Sequence, residues 1–82
     1  MLDERMKELV AIGAAITANC QPCLEYHTAK AREVGVSDED ILEAIKVSQQ
    51  VRRGAQAKMD RFAVQHVTGQ IENIPPAGCE CR

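Results

Sequence analysis

Residues 9–27 read LVAIGAAITANCQPCLEYH, and the way this stretch is divided decides the fold. Its first half carries no charge and has apolar residues at helical spacing; its second half opens on two cysteines, a proline and a histidine. Leu9–Leu24 is the longest uncharged run, yet Asn19, Gln21 and Pro22 interrupt it. It is also shorter than the roughly 20 residues that cross a bilayer. The reading is therefore two helices joined by a turn at Asn19. The first spans Asp3–Ala18 and is apolar nearly all round beyond Leu9, as a buried helix is. The second starts near Cys20 and ends at Gly35. Pro22 fits only a first turn, where its missing N–H costs nothing. Asn19 is expected as N-cap and Gly35 as a left-handed C-terminal cap.

Outward from there, Ser37 followed by Asp38, Glu39 and Asp40 combines a capping residue with acids in a first turn. That helix continues through Ile41, Leu42, Ile45, Val47 and Val51 and is expected to end or kink around Arg52–Gly54. A fourth segment places Ala55, Met59, Phe62, Ala63, His66 and Val67 on one face and stops before Gly69. Its His66 is expected to be packed or at a subunit contact. The ending IPPAGCECR cannot continue a helix. No alternating strand pattern occurs. The expectation is an all-α bundle of four or so short helices over residues 1–70, followed by an extended, cysteine-containing tail over 71–82.

Composition agrees with that class. The 82 residues are 45% hydrophobic with one Phe, one Tyr and no Trp, so the core must come from Ala, Val, Ile, Leu and Met. Such a small core is marginal alone, and oligomerisation would add buried area. The net charge is −2 and basic residues are scattered, which argues against a nucleic-acid partner. MLDERMKELV resembles no signal peptide, and no membrane partner is expected. The location is expected to be cytoplasmic, where thiols stay reduced. Four cysteines there point to redox chemistry or metal.

Cys20 and Cys23 form a C-x-x-C at a helix start, where unpaired N–H groups and the helix dipole favour a thiolate. The spacing also permits a disulfide. His27, one turn after Cys23, shares its face and is a candidate base for a thiol. If the second helix returns antiparallel along the first, His27 climbs back toward Glu8, an acid bordering the apolar stripe. Carboxylate, imidazole and thiol would then stand in order as orienter, base and nucleophile.

Glu8-x11-Cys20-x2-Cys23-x3-His27, followed by VGVSDEDILEAIKV, resembles the AhpD-like alkylhydroperoxidases of the carboxymuconolactone decarboxylase family across roughly residues 5–70. The resemblance implies an all-helical trimer or hexamer without a cofactor that reduces peroxides through its paired cysteines. It implies Cys23 as the attacking thiolate, Cys20 as the resolving thiol, His27 as base and Glu8 in the proton relay. An external dithiol, thioredoxin-like or lipoyl-type, would reset the disulfide. From helix position alone Cys20 is expected to be the more exposed thiol and could equally attack first. One departure matters: where the best-known form of the motif has a histidine between the cysteines, this chain has Pro22, which gives weight to a general disulfide oxidoreductase role. Lactone decarboxylation is not expected, since that branch does not rely on the cysteine pair.

The alternative is a metal-binding or structural module without turnover. Cys20, Cys23 and His27 supply three ligands, and Cys79 or Cys81 could complete a tetrahedral zinc site. Leu24 after Cys23 excludes c-type haem, and the lack of a βαβ pattern disfavours a thioredoxin fold. Cys79 and Cys81 are an accessory redox candidate: a C-x-C arm able to exchange with the Cys20–Cys23 disulfide, capture a soft metal or do nothing. Tyr26 reads as surface or interface, and Arg52–Arg53 as a solvated helix end.

Overall fold

A computed structural model of the chain describes residues 1–69; the expected tail with Cys79 and Cys81 lies outside the described residues. Among the described residues every regular element is a helix: α1 (Glu4–Thr17), α2 (Gln21–Glu33) and α3 (Asp38–Thr68). The all-α class holds, with three helices in place of four. The difference lies at Arg52–Gly54, which α3 crosses without ending. A mid-helix glycine costs about 1 kcal/mol. Around Gly54 stand Arg, Ala, Gln and Lys, all good helix formers, with no proline to remove a hydrogen bond. The chain divides into two compact units, Met1–Gln49 and a second beginning at Gln50.

In the first unit, every helix end is capped by its own sequence. Asp3 Oδ1 accepts from the Met6 N–H at 2.9 Å and starts α1. At the other end, the Cys20 N–H reaches Ala15 O (3.0 Å) and the Asn19 N–H reaches Ile16 O (3.2 Å). This is a Schellman closure, and it requires a left-handed residue after the cap. Asn19 supplies it, with φ 58°. Asn19 is thus not the N-cap of α2, contrary to expectation. Asparagine suits both roles, and the left-handed turn claims it because the two carbonyls ending α1 need partners. The cap passes to Cys20, whose Sγ accepts from the Cys23 N–H at 3.3 Å. Pro22 sits in the first turn, as expected.

The end of α2 repeats the device. Val36 N–H bonds to Ala31 O (2.9 Å) and Gly35 N–H to Arg32 O (3.1 Å). Gly35 stands at φ 95°, where a side chain would strain the backbone. Val36 and Ala31, the residues this closure brings together, are both buried. Ser37 Oγ then caps α3 by accepting from the Asp40 N–H at 3.1 Å. The acids Asp38, Glu39 and Asp40 occupy that first turn.

The core is small: Ile12, Ala31, Val36 and Ile41, with Leu9, Leu24, Val34, Ala44 and Ile45 packed against it. Gly13 lets α1 approach α3 closely, since a Cβ there would stand 3.0 Å from Ser48 Oγ. Ser48 itself is buried and donates to Ala44 O at 2.7 Å. The apolar half of α1 is less covered than its sequence suggests. Ile12 and Ala15 are buried, whereas Val10 is open to solvent. In the second unit the expected apolar face of α3 is likewise exposed at Met59, Phe62 and Val67. His66 is exposed and stacks on the Phe62 ring, centroids 5.8 Å apart.

Candidate active site

The closure at Asn19 sends α2 back along α1, and the two helices form the main packed pair. Glu8, twelve residues before Cys20, meets His27, seven after it. Their Oε1 and Nδ1 atoms are 2.7 Å apart. Glu8 is buried to 9% exposure, and the His27 side chain keeps 30%. An ionised carboxylate only accepts hydrogen bonds, so the contact puts a proton on Nδ1. Nε2 is thereby left as the ring's basic nitrogen in the neutral imidazole. Glu8 thus fixes the orientation of the His27 ring. Tyr26 packs edge-on against the imidazole, centroids 5.0 Å apart. This contact was not foreseen: neighbours in a helix sequence point in different directions, so adjacency carries no signal for it.

At the head of α2, Cys20 and Cys23 are joined as a disulfide with Cα atoms 5.3 Å apart. Cys23 is exposed and Cys20 half-buried, the reverse of the order expected from helix position. Cys20 lies in the corner where its N–H closes α1 while its sulfur caps α2, which withdraws it from solvent. Cys23 stands in the free first turn. The hydrogen bond from the Cys23 N–H to Cys20 Sγ, together with the dipole of α2, favours negative charge on the Cys20 sulfur.

The head and middle of α2 thus present an accessible sulfur, a sulfur at a helix N-terminus, and an imidazole held by a buried carboxylate. Among the described residues no group of three or more His, Cys, Asp and Glu is arranged to hold a metal ion. Cys79 and Cys81, the other expected ligands or redox partners, lie outside them. No helix among the described residues is long and apolar enough to cross a membrane.

The "Uncharacterized protein 4 in cox locus" of Paracoccus denitrificans is 43% identical over 54 residues, which are 66% of this chain and 49% of that protein. The chain therefore spans about half the length of this curated relative. No solved structure matches the chain. The model of the carboxymuconolactone decarboxylase family matches residues 1–65. That is most of the chain, including both helices of the site, and the all-α fold is the one this family has. The chain belongs to the carboxymuconolactone decarboxylase family, as the spacing of Glu8, Cys20, Cys23 and His27 led us to expect.

Proposed function

We propose that the chain is a dithiol–disulfide oxidoreductase that reduces peroxides, with Cys23 as the attacking thiolate, Cys20 as the resolving thiol, His27 as the base and Glu8 as its orienting carboxylate. The observation carrying this reading is the 2.7 Å Glu8–His27 contact, one turn beyond a disulfide at a helix start. A buried carboxylate serves the fold poorly unless it is partnered, and here it partners a histidine on the cysteines' own helix.

The reduced pair starts the cycle. His27 Nε2 takes the Cys23 thiol proton, and the thiolate attacks the distal peroxide oxygen. The O–O bond breaks, Cys23 becomes a sulfenic acid, and the departing alkoxide takes the proton back and leaves as an alcohol. Cys20 sulfur then attacks Cys23 sulfur and expels water, leaving the disulfide. The resetting step needs two electrons and two protons from an external dithiol, thioredoxin-like or lipoyl-type. Its thiolate attacks the exposed Cys23 sulfur, and Cys20 departs into the N-cap position, where an N–H already faces it. A stabilised thiolate leaves faster. The second thiol of the reductant then releases Cys23. A reducing compartment such as the cytoplasm would supply that dithiol, and the working form is a homo-oligomer. The same exchange without peroxide is disulfide reduction, the role that Pro22 between the cysteines favours.

The test is peroxide consumption by the full chain with several dithiol donors, beside Cys23→Ser. Turnover with at least one donor that disappears in the variant is the expected result. Equal rates for the two proteins would remove Cys23 from the chemistry.

A further inference from the structure

The charges of the chain are segregated. Residues 1–49 hold nine Asp and Glu against five Lys and Arg, a net −4. Residues 50–69 hold one Asp against four Lys and Arg, a net +3. Each half also leaves apolar surface open. In the first unit, α1 and the start of α3 border a groove of about 440 Å³, with Leu9, Val10, Ala44 and Val47 as its apolar lining and Asp40 and Glu43 as its acids. Val10 and Val47 are 61% and 54% exposed there. In the second unit, Val51, Ala55, Met59, Phe62 and His66 follow helical spacing along one face of α3. Val51, Met59 and Phe62 are 57%, 62% and 62% exposed. At 100° per residue, Arg52 and Lys58 flank that stripe on either side.

We infer that the acidic-rimmed groove between α1 and α3 is the docking site for the basic-flanked apolar stripe of α3 from a second copy of this chain. The inference rests on the homo-oligomer reading above and assigns its surfaces. A second copy is the fitting occupant because each surface supplies what the other lacks. The groove is apolar with acids beside it, and the stripe is apolar with bases beside it. Apolar burial supplies affinity, and opposite charges fix the register and reject wrong pairings. The need is also visible in the core, where Ile12 is the largest fully buried side chain among the described residues. A chain this size is marginal on so little burial.

Sedimentation equilibrium on the full chain tests this with Glu43→Lys and Lys58→Glu, two exposed positions. Wild type self-associates, and each variant alone places like charges across the contact and associates roughly tenfold or more weakly. The double variant Glu43→Lys/Lys58→Glu restores assembly to near the wild-type level in a ring of any size, because every groove then meets a stripe of opposite charge. Val47→Ser and Met59→Ser, neutral changes on the same two surfaces, weaken association as well; they carry the test should a charge reversal lower helicity in circular dichroism. A monomeric wild type at all concentrations would refute the oligomer reading itself. Wild-type association that all four variants leave unchanged would refute only the assigned surfaces. So would charge variants that stay weak when the two changes are combined in one chain, an outcome pointing to a different partner for each surface.

Discussion

Glu8→Gln isolates what the buried carboxylate does for His27. Glutamine keeps the length of the side chain and an oxygen acceptor for the Nδ1–H bond, so packing beside the α1–α2 core is retained. What is lost is the negative charge 2.7 Å from the imidazole. A hydrogen bond to a charged group contributes about 1.5–3 kcal/mol and a neutral one about 1. The difference, about 0.5–2 kcal/mol, is felt most when His27 holds the extra proton during thiol activation. At about 1.4 kcal/mol per tenfold, kcat/KM for peroxide should fall roughly 2- to 30-fold. The assay is initial peroxide consumption under limiting peroxide with excess dithiol, run beside a thermal melt. The melt should move little. A rate within twofold of wild type, with the fold intact, would refute the relay, since it would mean that charge on Glu8 does not act through His27.

Other expectations follow from the packing. Ile12→Ala removes the largest fully buried side chain among the described residues and should cost about 2–5 kcal/mol in urea unfolding; a loss under 1 kcal/mol would contradict the core assignment. Gly35→Ala has open space around it, so its cost is backbone strain at φ 95° alone, about 1–2 kcal/mol by the same measurement. Gly13→Ala gains helix propensity but brings a Cβ to 3.0 Å from Ser48 Oγ. Combined with Ser48→Ala it should show a favourable coupling of about 0.5 kcal/mol or more in a double-mutant cycle, and strict additivity would count against the α1–α3 approach. Reducing the Cys20–Cys23 disulfide releases only a very short loop, so the melting transition should shift by no more than about 2 kcal/mol of stability. Complete unfolding on reduction would make the pair a structural staple.

Much of this was readable from residue order, because the cues were local. Gly35 and Ser37 cap where backbone freedom or the side chain dictates, and Pro22 fixes the first turn of α2. The Glu8–His27 meeting followed from the rise per residue once the turn at Asn19 made α2 return along α1. The failures came where two local preferences compete or where tertiary placement decides. Asn19 favours both N-caps and left-handed turns, and the unpaired carbonyls at the end of α1 chose the second. That choice drew Cys20 into the corner and left Cys23 outside, which no helix-position argument could anticipate. Gly54 beside two arginines looked like a helix end, yet the strong helix formers around it carry α3 through. Cys79 and Cys81 were visible only as residue types, and their role rests on chemistry alone.

The most direct test of the central claim is a mass balance on the reduced protein. One equivalent of peroxide is added anaerobically and the cysteines are mapped by peptide mass spectrometry. The account predicts stoichiometric alcohol and a Cys20–Cys23 disulfide, with the protein lighter by two hydrogens. Peroxide consumed while Cys20 and Cys23 stay as thiols, or no peroxide consumed at all, would contradict it.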